Sequence, residues 1–519
     1  MSKVASDSLV VTVITIGGQA VSFVLFAVIA AVFGANWQTD AFFVALAIPT
    51  LFSGAVVNAI MSVFIPAITE CRVKRPHELN RLVGATLAYV LLFSFLAMLV
   101  VAGASPWLLG RRGIPVETMA LASRNALWLM PIIPLQASWA VLAATYNAAG
   151  RFQRVAYSAA FRYLVALSVF LAFRRVLGVM SLPLSFVAGA AVQTATVCAG
   201  WRSIGLRPVL TWRVEPGLVR SGVLVVPLLI GTAALQFSQL ASRVLAAQLT
   251  SGSVSMLDYA SRYSSAIFEL LTSGATLVTL ANWSDLAARE NVEGVRVDLR
   301  QTALTMLFLI LPVVAILFAV REPLILLTLQ RGKFDLALSS GTAAVLGLLL
   351  LGVPMEIVSR FYARVLIVWQ RTRTLGWLAG IRMVLMISLA VALMGFWGLL
   401  GIALADAVAG GLAGVLIVWS VNRVLGNTLE GVWPSVLKLG ISTAGSVVAA
   451  SGGVTLLSGQ AASLQILTAV ALGIAAYATL AWMVGCGELH LVTSYLRERV
   501  AALRISRASV SEAAVENSR

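Results

Sequence analysis

Histidine, cysteine and carboxylate are scarce in this chain. Only 2 histidines and 3 cysteines occur among 519 residues. His77 and His490 fall in polar stretches, and Cys71, Cys198 and Cys486 have no metal-like spacing. Zinc and haem chemistry therefore lack a ligand set. Cys198 and Cys486 lie in apolar runs and read as small packing residues. No GxxxxGK[ST], HExxH or GxSxG motif is present, which removes ATP-driven transport by this chain alone, and hydrolysis, from the leading readings. No polar segment is long enough for a soluble domain. The longest, from about Glu488 to Arg519, is too short for a core of its own.

Hydrocarbon dominates what is there. Hydrophobic residues make up 60% of the chain, charged residues 11%, and the mean hydropathy is +0.95. About fourteen apolar stretches follow one another with short loops between them. We place them at 8–33, 41–66, 82–108, 121–147, 156–173, 179–200, 221–247, 255–282, 301–320, 339–366, 375–396, 398–421, 434–457 and 464–485. The first is too long for a cleaved signal segment and reads as a retained span. The chain is thus expected to be an all-α polytopic membrane protein. Pro49, Pro131, Pro134, Pro227, Pro312 and Pro354 interrupt the spans and mark candidate bends, because lipid tolerates a missing backbone bond only where neighbours or a cavity satisfy it.

The net charge is +16. The basic residues are scattered through short loops without an aromatic-basic motif, so nucleic acid is not an expected partner. With the N-terminus cytoplasmic, inner loops carry roughly 23 Lys and Arg against roughly 7 outside. Both termini are therefore expected inside. The tail segment LVTSYLRERVAALRISR has apolar and basic residues at helical spacing and suits the surface of an anionic leaflet.

Ionisable groups within spans are costly and are functional candidates. The basic ones are Arg124, Arg162, Arg243, Arg262, Arg360, Arg364 and Arg382. The acidic ones are Asp258, Glu269, Glu356 and Asp406, with Asp40 at the mouth of the second span. Every basic group is Arg, which stays protonated and offers a planar fork to phosphate. The positive excess suits an anionic substrate. Arg262, Arg364, Arg243, Arg360 and Arg162 are the expected substrate-binding cations. Asp406, Glu356 and Asp258 are candidates for ion coupling. Asp258 with Arg262, and Glu356 with Arg360, have the spacing of intrahelical ion pairs that serve only insertion. Arg124 and Arg382 are expected to snorkel to headgroups. No cofactor is expected; coupling to Na⁺, H⁺ or the membrane potential remains open.

Four segments resemble the MurJ/MviN family of lipid II flippases, within the multidrug/oligosaccharidyl-lipid/polysaccharide exporter superfamily. They are VFGANWQTDAFFVALAIPTLF (Val32–Phe52) with FIPAI (Phe64–Ile68), LTSGSVSMLDYASR (Leu249–Arg262), LQRGKFD (Leu329–Asp335), and QRTRT (Gln370–Thr374) through GLLGIALA (Gly398–Ala405). The resemblance implies two six-helix lobes in a V, at 1–215 and 216–425. It implies two further helices, at 426–486, that form a groove for a polyprenyl tail, and a cytoplasmic tail at 487–519. It implies alternating access for a polyprenyl pyrophosphate-linked saccharide, moved from the cytoplasmic to the outer leaflet of a bacterial inner membrane. It places Asp40 on the acidic position of the TDAFF motif and Arg262 on an essential cavity arginine. The sequence departs from the family where Gln19, Leu25, Ser53 and Gly54 stand at expected basic positions, and where Ser261 replaces an acid. These departures favour a related lipid-linked glycan, such as a polysaccharide repeat unit, over lipid II. A cation-coupled drug exporter and a non-transporting scaffold for glycan synthesis are the alternatives. Expected partners are the glycolipid, anionic lipids, and a glycan polymerase or glycosyltransferases.

Overall fold

The structure, a computed structural model, describes residues 3–109, 113–205, 211–212 and 216–489. Every regular element among them is helical. The helices are α1 (Lys3–Phe33), α2 (Trp37–Lys74), α3 (Leu79–Leu109), α4 (Val116–Leu129), α5 (Ile132–Ala148), α6 (Phe152–Leu177), α7 (Ser181–Cys198), α8 (Pro216–Ala246), α9 (Ser253–Ala288), α10 (Val292–Leu329), α11 (Leu336–Val368), α12 (Thr372–Leu425), α13 (Val432–Leu456) and α14 (Ala462–Met483). The expected spans fall on helices, with 121–147 divided between α4 and α5. Ten helical segments among the described residues are long and apolar enough to cross a membrane. The segments 152–198 and 372–425 each hold two of the expected spans. The tail helix expected beyond residue 487, and the loop charges Arg111, Arg112, Arg207 and Arg213, lie largely or wholly outside the described residues.

Local chemistry explains the boundaries. Asn36 ends the α1–α2 turn: its side chain accepts from the Gln38 and Thr39 amides at 2.9 and 3.1 Å, and the Thr39 hydroxyl accepts from the Asn36 amide at 2.9 Å. This reciprocal cap fixes the start of α2. Pro131 cannot donate and separates α4 from α5. Pro49, Pro66, Pro312, Pro323 and Pro354 instead lie inside continuous helices. Small residues allow close helix approach, as lipid-embedded packing requires. At α13–α14 the Ser446 hydroxyl donates to the Gly473 carbonyl at 2.9 Å, and Ala450 and Ala469 are buried beside it.

The backbone repeats itself. Gly178 joins α6 to α7 with φ 54 and ψ −132. Gly398 kinks α12 with φ 54 and ψ −128, so the eleventh and twelfth expected spans meet there without a loop. Gly150 and Gln370, before α6 and α12, both have positive φ. So do Gly34 and Gly252, ahead of α2 and α9, and Gly113 and Gly332. Each pair is separated by roughly 220 residues, the mark of an internal structural repeat.

The chain also divides by compactness. One unit comprises Met1–Ile267, Thr328–Leu349 and Gln370–Ala413; the other comprises Phe268–Leu327, Leu350–Trp369 and the chain from Gly414 on. The first holds an aromatic core: Phe43 stacks on Phe26 and meets Phe42 and Tyr259, and Tyr259 meets Phe334 edge-on.

Candidate functional site

Two buried carboxylates in the first unit organise their surroundings. Asp40, in the first turn of α2, is 3% exposed. Its Oδ2 accepts from the Gly252 amide at 2.6 Å, and its Oδ1 accepts from the Ser255 amide at 2.8 Å and the Ser255 hydroxyl at 2.6 Å. These are the amides at the N-terminal end of α9, which otherwise lack helical partners. A carboxylate satisfies them and faces the positive end of the helix dipole. Asp40 therefore ties α2 to α9.

The turns around this tie are packed backbone on backbone. The Lys333 amide donates to the Ala31 carbonyl at 3.0 Å. Gly252 and Gly332 have φ of 95 and 61, and a Cβ on either would press into the Ala35 or the Ala31 carbonyl. Glycine is required there both for conformation and for space. The α1–α2, α8–α9 and α10–α11 turns thus form one knot.

Asp258 lies one turn further along α9 and is also 3% exposed. Its Oδ1 accepts from Arg243 of α8, at 3.2 Å from Nε and 2.7 Å from Nη2. Its Oδ2 accepts from Arg262 Nε at 2.9 Å, with Nη2 also at 2.9 Å. Two guanidinium groups thus share one carboxylate, and the cluster keeps a net positive charge. Arg262 also stacks on Phe26 of α1, 3.1 Å from the ring centroid. Phe26 belongs to the aromatic core, so one face of the Arg262 guanidinium lies against protein. The bridge between Asp258 and Arg262 has the intrahelical spacing read from the sequence, but Arg243 makes it a three-membered cluster across two helices.

The other candidates are dispersed. Arg162 on α6 is partly buried, with its guanidinium 5.6 Å from the Tyr163 ring centroid. Arg382 does not simply snorkel: its Nη2 lies 3.7 Å from Asp406 Oδ1, across the Gly398 kink. In the second unit, Arg360 stands 3.4 Å from Glu269 and over the Phe268 ring at 3.9 Å. Glu356 and Arg364, one turn to either side of Arg360 on α11, are partly buried. Sequence reasoning did not find Ser255, Phe26 or the Gly252 amide. One signal was present. Gly34 stands six residues before Asp40 and Gly252 six before Asp258, so the glycine–carboxylate spacing recurs.

A family profile described as "Lipid II flippase MurJ" matches residues 29–483, most of the chain. The chain belongs to the lipid II flippase MurJ family. A protein of Bdellovibrio bacteriovorus named "Probable lipid II flippase MurJ" is 28% identical over 285 residues; the match spans 54% of either chain, about half of that relative's length. One of the same name from Rhizobium meliloti is 25% identical over 425 residues, 78% of either chain. Among solved structures, "Lipid II flippase MurJ, inward closed conformation" has a TM-score of 0.76 at 20% identity, covering 92% of this chain and 98% of that one. An inward-facing multidrug-resistance transporter of the MATE family and MOP superfamily has a TM-score of 0.69 at 12% identity, covering 80% and 96%. These likenesses show the fold.

The positions where the resemblance leads one to expect basic residues carry neutral ones. Leu25, at one expected basic position, is completely buried, and Ser53 is 6% exposed. Gln19 is exposed. Gly54 is closely approached by the Gln236 side chain, whose amide donates to the Thr50 carbonyl at 3.3 Å. A neutral amide from α8 thus packs where the resemblance implies a cation from α2. In the first unit, the two partly exposed arginines on Asp258 bring two cations together on one buried carboxylate.

Proposed function

We propose that the protein is a flippase for a polyprenyl pyrophosphate-linked saccharide, carrying it from the cytoplasmic to the outer leaflet of a bacterial inner membrane by alternating access. The observation that carries this reading is the Arg243–Asp258–Arg262 cluster. Its two guanidinium groups stand side by side against protein, they are permanently charged, and their sum leaves one positive charge for an anionic head. A small cationic drug would be repelled there. Family membership supports the same substrate class. The saccharide is either that of lipid II or a polysaccharide repeat unit, and the neutral Leu25 and Ser53 at expected basic positions favour the latter.

Both termini face the cytoplasm in this reading, so the knot around Asp40 closes the outer end of the first unit. Release of Asp40 from α9 opens it. Helices α13 and α14 receive the polyprenyl tail. Asp258 and Asp406 each face a guanidinium, which supports the membrane potential rather than a bound Na⁺ or H⁺ as the coupling force. The glycosyltransferases or polymerase that make and consume the glycolipid are the proposed protein partners, with anionic lipids at the basic tail.

Reconstitution tests the reading. Proteoliposomes loaded with lipid II or with a lipid-linked repeat unit are expected to expose the sugar on the far leaflet, and Arg262→Ala is expected to stop it. Equal exposure by wild type and Arg262→Ala overturns the proposal. Mass spectrometry of copurified lipid distinguishes the two saccharides.

A further inference from the structure

The sequence offers Asp258 as an ion-coupling group, but its geometry assigns it another task. We propose that Asp258 is a positioning residue: it holds Arg243 and Arg262 as a preformed pair of forks for the diphosphate of the cargo. This deepens the proposed function and rests on it.

Two guanidinium groups on neighbouring helices would separate unless an anion lay between them. Asp258 is that anion, and it divides its oxygens evenly. Oδ1 serves Arg243 and Oδ2 serves Arg262, each through the Nε and Nη2 edge. Both forks are therefore engaged along the same edge, and the opposite Nη1 ends point away from the carboxylate. Arg243 Nη1 makes one long contact, 3.4 Å to the Gln239 carbonyl. Arg262 Nη1 carries no hydrogen bond among the described residues.

Exposure follows the same division. The Asp258 side chain is 3% exposed, those of Arg243 and Arg262 21% and 28%. The carboxylate is the buried hinge and the cations are the accessible face. Phe26 fixes the plane of the Arg262 fork from the other side. A head bearing two linked phosphates can take one guanidinium per phosphate without displacing Asp258. A single phosphate can use only one fork fully. Preorganisation of this kind lowers the ordering cost of binding. It predicts discrimination between diphosphate and monophosphate on the same lipid.

The test measures binding of undecaprenyl pyrophosphate and of undecaprenyl monophosphate to the full-length protein in detergent. Wild type is expected to prefer the diphosphate by about tenfold or more. Asp258→Asn keeps the shape and removes the charge. It is expected to weaken diphosphate binding by about tenfold and to erase the preference, while Asp258→Glu restores part of both. Arg243→Gln, which leaves the Asp258–Arg262 pair intact and spares the fold, is expected to erase the preference as well. A purely structural Asp258 would change thermal stability and leave the preference of the folded protein unaltered. An unaltered preference in folded Asp258→Asn, or in Arg243→Gln if the former does not fold, overturns the inference alone. Wild type that binds neither lipid overturns the proposed function together with it.

Discussion

Asp40 and Asp258 occupy corresponding places in the two halves of the repeat, each six residues after a glycine of positive φ. Both are 3% exposed, yet they are satisfied by opposite means. Asp40 accepts from the uncharged amides and hydroxyl of another helix's first turn. Asp258 accepts from two arginines. One position has become a latch between backbone segments and the other an electrostatic clamp. A shared scaffold thus fixes where a buried carboxylate stands, and the neighbouring residues decide what it does.

The contrast can be broken at several points. The largest expected effect is on the clamp. Arg262→Ala leaves Arg243 and Asp258 paired but removes one fork and the stacking on Phe26. A loss of about 3 kcal/mol in cargo binding, roughly a hundredfold in Kd, is expected, and titration with undecaprenyl pyrophosphate reads it. Asp40→Ala acts on the latch instead. It strands the Gly252 and Ser255 amides and favours the unlatched state by about 2–3 kcal/mol. A cysteine placed at Ala35, in a background lacking Cys71, Cys198 and Cys486, should then react faster with an impermeant thiol reagent. An unchanged rate would mean that Asp40 does not hold the knot.

Smaller changes sharpen the same comparison. Gly252→Ala adds a methyl at positive φ against the Ala35 carbonyl and is expected to weaken the latched state by about 1–3 kcal/mol; thermal melting should fall. Ser255→Ala removes only the hydroxyl from Asp40, so about 1 kcal/mol is expected in the same accessibility assay. Gly54→Ala should push the Gln236 amide off the Thr50 carbonyl, again at about 1 kcal/mol. Combined with Gln236→Ala, its further cost should vanish, because the side chain it displaces is gone.

The sequence made some of this readable. Long apolar runs located the helices, since lipid leaves no alternative to internal backbone hydrogen bonding, but one run, 121–147, merged α4 with α5. Asp258 and Arg262 were visible as a pair because four residues on a helix bring side chains together. Arg243 could be named as a cation within an apolar span, but its partner could not, because nothing local sets the rotation of α8 against α9. The partners of Asp40 lie more than two hundred residues away and are chiefly backbone amides, which have no residue identity to read. Arg382 and Asp406 looked solitary for a related reason. The left-handed Gly398 brings two spans together without the loop that usually announces a turn. Gln236 in the space beside Gly54 was equally hidden, since an absent side chain does not name what replaces it.

Ser255 and Arg262 stand two turns apart on one unbroken stretch of α9, about 10 Å along its axis. Whatever pulls on one end is felt at the other. Reciprocity then follows from thermodynamics: if an anion seated on the arginines loosens the grip of Asp40 by some factor, loosening that grip must tighten the hold on the anion by the same factor. A single rod of helix would make loading and opening two readings of one equilibrium.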